Sequence, residues 1–310
     1  MKIVLNSRFG MPRLKEGLEV TGHEVLEDVW DAKDFASLGV EAALFEFRTI
    51  FNHKWRFIPL VLRLRKMGIP VATWNVDSPW HMNRGPLKVK LLLKSGLIDL
   101  YATHSLQDTE RVSGPRVLYL PNAAWTSYYG MNGVSFAELW DRGDYDWDVS
   151  FLGNMNGAAY PEHRRRAAFL AGLEEFLNRR GLRVLFADVS RRPYSCAEQL
   201  GIIQRSRINL SCIAAADSTG VMSWGLTERA YGVPACGGFL LMEDRVHVMD
   251  DFARDEVATY RDPDDCREKI SYYLDRPDER RRIAEKAHER VMGDHTYQQR
   301  AITLMTELES

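Results

Sequence analysis

Short apolar runs alternate with longer helical patterns from residue 2 to residue 121 of this 310-residue chain, and after a break at 122–146 the alternation begins again. In the first half, KIVLN (2–6), HEVLEDV, AALFEF (42–47), IPVATWN (69–75), DLYATH (99–104) and RVLYLP (116–121) read as strands. Helical stretches separate them, among them 54–67, which keeps its helical composition despite Pro59. In the second half WDVSFLGN (147–154) opens the series, followed by a helix with Pro161 at its start and Gly181 at its stop. LRVLFADV, a helix at 194–205, RINLSC (207–212), a glycine-bearing strand at 235–241 and EVATY (256–260) continue it, and the tail from Pro263 is helical. Strands alternating with helices imply βαβ units and parallel sheets. The chain length holds two such domains. The expected fold is therefore α/β, with two Rossmann-like, doubly wound parallel-sheet domains facing a cleft. Residues 1–125 form the first domain, 126–146 a linker with a short helix near 136–140, 147–292 the second domain, and 293–310 a last helix.

Composition removes several classes of function. The formal net charge is −2, so no overall field selects nucleic acid or an anionic membrane. The basic clusters at Arg63, Arg65 and Lys66, at Lys88, Lys90 and Lys94, at Arg164 to Arg166, and at Arg191 and Arg192 read as solvated helix faces. No apolar run reaches the roughly 20 residues of a membrane helix, and the first residues read as a strand rather than a signal peptide. A cytoplasmic protein is expected. Cys196, Cys212, Cys236 and Cys266 lack C-x-x-C spacing and read as reduced core thiols. The Asp-x-Asp spellings at 144–148 and at 262–264 read as acidic turns, so no metal and no cofactor is expected.

Ligands of open parallel sheets bind beyond the carboxyl ends of the strands. Gly153 and Asn154 stand at such an end, where a glycine admits close backbone approach; a plain turn glycine fits equally well. The polar, glycine-bearing stretch 218–227 opens into a helix whose free N–H groups suit a diphosphate. Glu228 follows, either as an acceptor for a ribose diol or as a capping carboxylate. In the first half Asp77 and His104 end strands, and Arg8 and Gly10 follow the first strand, with Trp80 and His81 in the loop after Asp77.

The segment from Glu228 through Ala235-Cys236-Gly237-Gly238-Phe239-Leu240-Leu241 resembles the donor half of GT-B glycosyltransferases, in particular the group related to the spore maturation protein CgeB. Val149 to Asn154 is similar to the strand that opens that half, and Asp294-His295-Thr296-Tyr297 to the start of the last helix. Trp74-Asn75-Val76-Asp77-Ser78-Pro79 resembles the group's Trp-x-x-Asp-x-Pro element, and Tyr119 to Ala124 the strand leaving the first domain. Two positions depart from the pattern: Gly220 stands where many retaining members carry a second Glu, and Gly225 where an Arg is common.

The resemblance implies a hexosyl- or pentosyltransferase that takes its sugar from a nucleotide-diphosphate sugar without a metal. Gly153, Asn154, Ser223, Trp224, Gly225, Leu226, Thr227 and Glu228 would hold the donor, with Glu228 on the ribose. Asp77 or His104 would act as base, and Arg8, Gly10, Trp80 and His81 would meet the acceptor. That acceptor is a glycan, a small molecule, a protein or modified DNA. The last helix would cross back onto the first domain. Two alternatives are a nucleotide-sugar epimerase on the same fold and a non-catalytic protein that binds nucleotide or glycan.

Overall fold

The computed structural model describes residues 1–8, 11–75, 86–106, 112–158, 161–214 and 225–310. Gly10, Asp77, Trp80, His81, Ser223 and Trp224 lie outside the described residues. The chain divides into two compact units, Met1–Asn122 with Tyr297–Ser310, and Ala123–Thr296.

The first unit carries a six-stranded sheet. Its strands are β1 (Lys2–Asn6), β2 (Glu24–Glu27), β3 (Ala42–Glu46), β4 (Val71–Asn75), β5 (Leu100–Thr103) and β6 (Arg116–Tyr119). All pair in parallel in the order β2-β1-β3-β4-β5-β6. Parallel strands are covered on both faces, so their sequences are apolar in nearly every position rather than every second one. Val4, Ala43, Phe45, Val71 and Tyr101 pack one face against the helices Ala32–Leu38, Phe47–Asn52, Lys54–Lys66 and Pro86–Lys94. The opposite face meets the last helix, Tyr297–Glu309, where Trp74 sets its ring edge-on to Tyr297. Gly17 permits that packing: a Cβ there would sit 2.3 Å from the Tyr297 carbonyl oxygen. Arg300 then ties the helix down, donating to the carbonyls of Pro121 at 2.9 Å and Asn122 at 3.0 Å.

The second unit carries five parallel strands, β7 (Trp147–Gly153), β8 (Val184–Asp188), β9 (Ser206–Ser211), β10 (Leu240–Glu243) and β11 (Ala258–Tyr260), in the order β8-β7-β9-β10-β11. Val149, Phe151, Ile208, Leu210 and Leu241 pack against the helices Pro161–Asn178 and Pro263–Leu274. Leu152, Ala187, Leu240 and Met242 join the other layer, with Leu200, Ile203 and Tyr231. Both sheets are thus doubly wound, and in each the chain reverses direction between its first and third strands.

One expectation is filled in and one changes. The 126–146 linker is packed, and its short helix forms. Tyr129 lies beneath Gly232, where a Cβ would come within 3.0 Å of its ring, and Trp140 Nε1 donates to the Gly237 carbonyl at 3.0 Å. Ser135 and Glu138 form a capping box at the head of the short helix Phe136–Asp141. The aromatic residues that broke the helical period are half-buried within the second unit. The change concerns 235–241. The helix Arg229–Ala235 runs through Gly232 and Pro234, and the strand begins only at Leu240. Gly237 N–H donates to Pro234 O at 2.8 Å and Gly238 N–H to Val233 O at 3.0 Å, with Gly237 at φ +75°. These are the two bonds of a Schellman cap, so the paired glycines stop a helix rather than loosen a strand. No helix among the described residues is long and apolar enough to cross a membrane.

Candidate functional site

The reversal point of the second sheet lies between the carboxyl ends of β7 and β9. There the backbone is held by two guanidiniums. Arg166, on the inner face of Pro161–Asn178, donates from Nη1 to Asn154 O at 2.6 Å and from Nε to Ile213 O at 2.9 Å and Cys212 O at 3.2 Å. Arg229, at the head of Arg229–Ala235, donates to Leu152 O. The Phe151 ring lies between them, 5.6 Å from the Arg166 guanidinium carbon and 5.5 Å from that of Arg229. Burial pulls the Arg229 guanidinium below its ordinary value; Tyr129 and Glu228 oppose that pull, and Arg166 adds to it. Two cations held this close favour an anion beside them.

Ile213 marks the same spot. Its φ is +40°, a left-handed conformation that a β-branched residue avoids and that costs about 1–3 kcal/mol. It is pinned from both ends: its N–H donates to Glu243 Oε2 at 2.7 Å, and its carbonyl accepts from Arg166. Strained backbone that its surroundings hold in place clusters at active sites and ligand clamps.

Glu228 precedes the first turn of Arg229–Ala235 but makes no side-chain capping bond. Its main-chain carbonyl accepts from Gly232 N at 2.8 Å and Tyr231 N at 3.1 Å. The Tyr129 hydroxyl, also at this end, is held well above its ordinary range by burial, with the Glu228 charge adding to the effect. Leu226 turns its side chain into the core, so a ligand would meet its backbone rather than its side chain. Gly225 has φ +80°, which an arginine at this position would take only under strain. Thr227 is half-buried, and its carbonyl accepts from Ala230 N at 2.9 Å. The structure thus brings Gly153, Asn154, Glu228 and two arginines to one edge.

The Asp-x-Asp spellings have structural uses. Asp146 takes a bidentate pair of bonds from Arg205 at 2.6 and 2.7 Å, and Asp144 a third at 3.2 Å. Asp262 caps Pro263–Leu274 through Asp264 N and Asp265 N. Among the described residues no group of three or more His, Cys, Asp or Glu could hold a metal ion. An open depression of about 370 Å³ beside Asp146, Trp147, Arg192 and Arg205 lies at the amino ends of β7 and β9, away from the strand ends described above.

The first unit has its own edge. At the carboxyl ends of β1 and β3, Glu46 Oε2 accepts from the Ser7 hydroxyl at 2.9 Å and the Thr49 hydroxyl at 2.8 Å. Thr49 Oγ1 in turn accepts from Arg8 N at 2.8 Å, and the Arg8 side chain is exposed. A cavity of about 120 Å³ beside these groups is lined by Met11, Arg13, Glu46, Trp74 and Tyr297. Trp74 is a packed residue whose Nε1 donates to Leu120 O at 3.0 Å. His104 is buried at the end of β5.

Sequence reading missed Arg166, Arg229 and Glu46. Arg166 had a signal: with His163, Leu170, Leu173 and Leu177 it occupies the buried, helically spaced side of Pro161–Asn178.

A family model described as glycosyl transferase-like matches residues 166–306. No curated protein sequence matches the chain significantly. Among solved structures, the chain is similar to a sucrose-phosphate synthase from Thermosynechococcus elongatus, at 12% identity and a TM-score of 0.64, over 100% of this chain and 98% of that one. It is similar to Anabaena HepE in complex with UDP, at 12% identity and a TM-score of 0.61, over 100% of both chains. A putative UDP-N-acetylglucosamine 2-epimerase from Listeria monocytogenes matches at 11% identity and a TM-score of 0.55, over 100% of this chain and 96% of that one. The two doubly wound sheets and these neighbours give the chain the GT-B fold.

Proposed function

We propose that this chain is a glycosyltransferase that moves a sugar from a nucleotide-diphosphate sugar to an acceptor nucleophile. The observation that carries the reading is the pair Arg166 and Arg229 at the reversal point of the second sheet, beside Glu228, within the span that matches glycosyl transferase-like proteins. The two cations, with the backbone N–H groups of 225–227, would stabilise the charge that grows on the leaving diphosphate. Glu228 would accept from the ribose diol, the role that the resemblance to GT-B donor sites implies for it. Gly153 and Asn154 would border the nucleotide. The bond from the anomeric carbon to the diphosphate oxygen breaks, the acceptor oxygen takes that carbon, and its proton passes to a base. Asp77 is the base in this reading and His104 its substitute, with Arg8, Gly10, Trp80 and His81 on the acceptor. No metal and no separate cofactor enter the scheme.

The donor we propose is a UDP-hexose, because the structural neighbour HepE is described in complex with UDP and with UDP-glucose. The finer kinship is with the CgeB-related group, on the strength of Glu228 and the Ala235-Cys236-Gly237-Gly238 run. The work place is the cytoplasm, which suits four free thiols. The epimerase reading has one observation of its own, the resemblance to the Listeria protein.

A thermal-shift panel of UDP-, GDP-, ADP-, CMP- and dTDP-sugars tests the donor site, because a ligand bound only by the native state raises Tm by mass action. A shift with UDP-glucose is expected. In Glu228→Ala the affinity for it should fall by about 10- to 100-fold, the worth of a hydrogen bond to a charged group, with the unliganded Tm unchanged. Wild-type affinity in that variant removes the ribose role, and no shift with any nucleotide removes the transferase reading. Release of UDP without any acceptor would favour the epimerase.

A further inference from the structure

The helix Lys54–Lys66 is apolar on two sides. Phe57, Leu60, Val61 and Leu64 point into the core of the first unit. Trp55, Ile58 and Leu62 point outward and are 81%, 41% and 50% exposed. Their spacing makes one stripe along the helix. The helix Pro86–Lys94 repeats the arrangement: Val89 and Leu93 enter the same core cluster, while Leu87 and Leu91 are 69% and 61% exposed. Arg65 on the first helix donates to the Gly96 carbonyl just beyond the second, so the two outer stripes belong to one face. Large apolar side chains gathered on an exposed face mark a site of attachment.

The charges on this face are of one sign. Lys54, Arg56, Arg63, Arg65 and Lys66 stand on the first helix, Lys88, Lys90 and Lys94 on the second, all exposed, and neither helix contains an acidic residue. Among the described residues none of these cations is paired with a carboxylate. Against a net charge of −2 for the whole chain, the accumulation is local.

We propose that this two-helix face docks on an anionic lipid bilayer, with Trp55, Leu62, Leu87 and Leu91 entering the boundary between headgroups and acyl chains and the lysines resting on lipid phosphates. Interfacial helices combine these two features, an apolar stripe and a cationic border. A second copy of the chain is a poor occupant, because it would set like charges against like. A nucleic-acid backbone would take the lysines but leave the aliphatic side chains in water. The proposal is independent of the donor-site reading, since it uses none of the same residues.

Co-sedimentation with vesicles tests it. The protein is expected to pellet with vesicles of equal parts phosphatidylcholine and phosphatidylglycerol, to stay in solution with phosphatidylcholine alone, and to bind less as salt is raised. The triple variant Lys88→Gln, Lys90→Gln, Lys94→Gln should lose on the order of 100-fold in apparent affinity. Trp55→Ser with Leu62→Ser should lose at least about tenfold. Ile302→Ser, an exposed apolar residue on the last helix, should bind as wild type does. The substituted side chains are exposed, and circular dichroism melts confirm that each variant folds. Absence of the wild-type protein from the anionic pellet overturns the proposal. So does equal binding by the variants, or capture by duplex DNA or an acidic polypeptide without capture by vesicles.

Discussion

In the first unit the ends of β1 and β3 are joined through a carboxylate and two hydroxyls, those of Glu46, Ser7 and Thr49. In the second unit the corresponding ends of β7 and β9 are joined through a guanidinium and three carbonyls, with a second guanidinium beside them. The strand order around the two reversal points is the same. Local topology therefore does not set the chemistry of an edge; the side chains placed there do. A cationic edge suits a diphosphate, and an edge of carboxylate and hydroxyls suits a neutral, hydroxyl-bearing acceptor. Asn6 and Asn75, both buried at strand ends of the first sheet, add uncharged polar groups to that edge.

The largest expected effect comes from the segment that follows β4. In the proposed division the first unit supplies the base, so Asp77→Asn should lower turnover by about 10²- to 10⁴-fold. UDP affinity, a property of the second unit, should not move. Calorimetry of UDP binding beside a transfer assay reads both; unchanged turnover removes Asp77 as the base, and lost UDP affinity breaks the division of labour.

A smaller effect separates the two edges directly. Arg166→Gln strips three carbonyls of their donor and leaves Ile213 strained with one support. A loss of about 2–4 kcal/mol in urea unfolding is expected, together with weaker UDP binding. Glu46→Gln keeps the size and hydrogen-bonding shape of its half-buried side chain. It should cost no more than about 1 kcal/mol and leave UDP binding alone. Equal losses in the two variants would mean that the edges are alike and that the comparison above is wrong.

Most strands were legible because parallel strands buried on both faces are nearly continuous apolar runs. KIVLN became Lys2–Asn6 and RINLSC became Ser206–Ser211. The failures have specific causes. At 235–241 two glycines inside an apolar run read as a weakened strand, whereas the tertiary structure uses Gly237 as the left-handed residue of a helix cap. In 123–146 the buried faces of Tyr129 and Trp140 follow no helical or strand period, because they pack on a helix end and a glycine rather than on a regular layer. Glu228 and Gly153 were legible as types in a pattern. Arg166 was hidden within a run of three arginines that only its helical phase divides into one buried residue and two exposed. Asp77, Trp80, His81, Gly10, Ser223 and Trp224 lie outside the described residues, so their roles stand as proposals.

The smallest effect concerns acid. Asp188 ends β8 and holds the turn that follows β7, accepting from Met155 N at 3.0 Å, Ser190 N at 3.0 Å and the Ser190 hydroxyl at 2.7 Å. Burial alone would push its carboxyl up. The bonds from Ser190 and Met155, with Arg191 nearby, outweigh it and hold the carboxyl below its ordinary value of 3.8. A carboxyl depressed in the folded state stabilises at any pH above its unfolded value, and that stability is lost as pH falls through the folded one. The loss should therefore begin below about pH 4 and be absent at neutral pH. At the end of β2 in the first unit the carboxylates bond at the surface, Asp28 accepting from Trp30 Nε1 at 2.7 Å and Glu27 pairing with Lys15. Asp188→Asn should flatten the acid limb of a Tm-against-pH curve, while Glu27→Gln should leave it in place. If both variants keep the wild-type curve, acid sensitivity arises elsewhere, and the turn after β7 is held by its backbone bonds rather than by the charge.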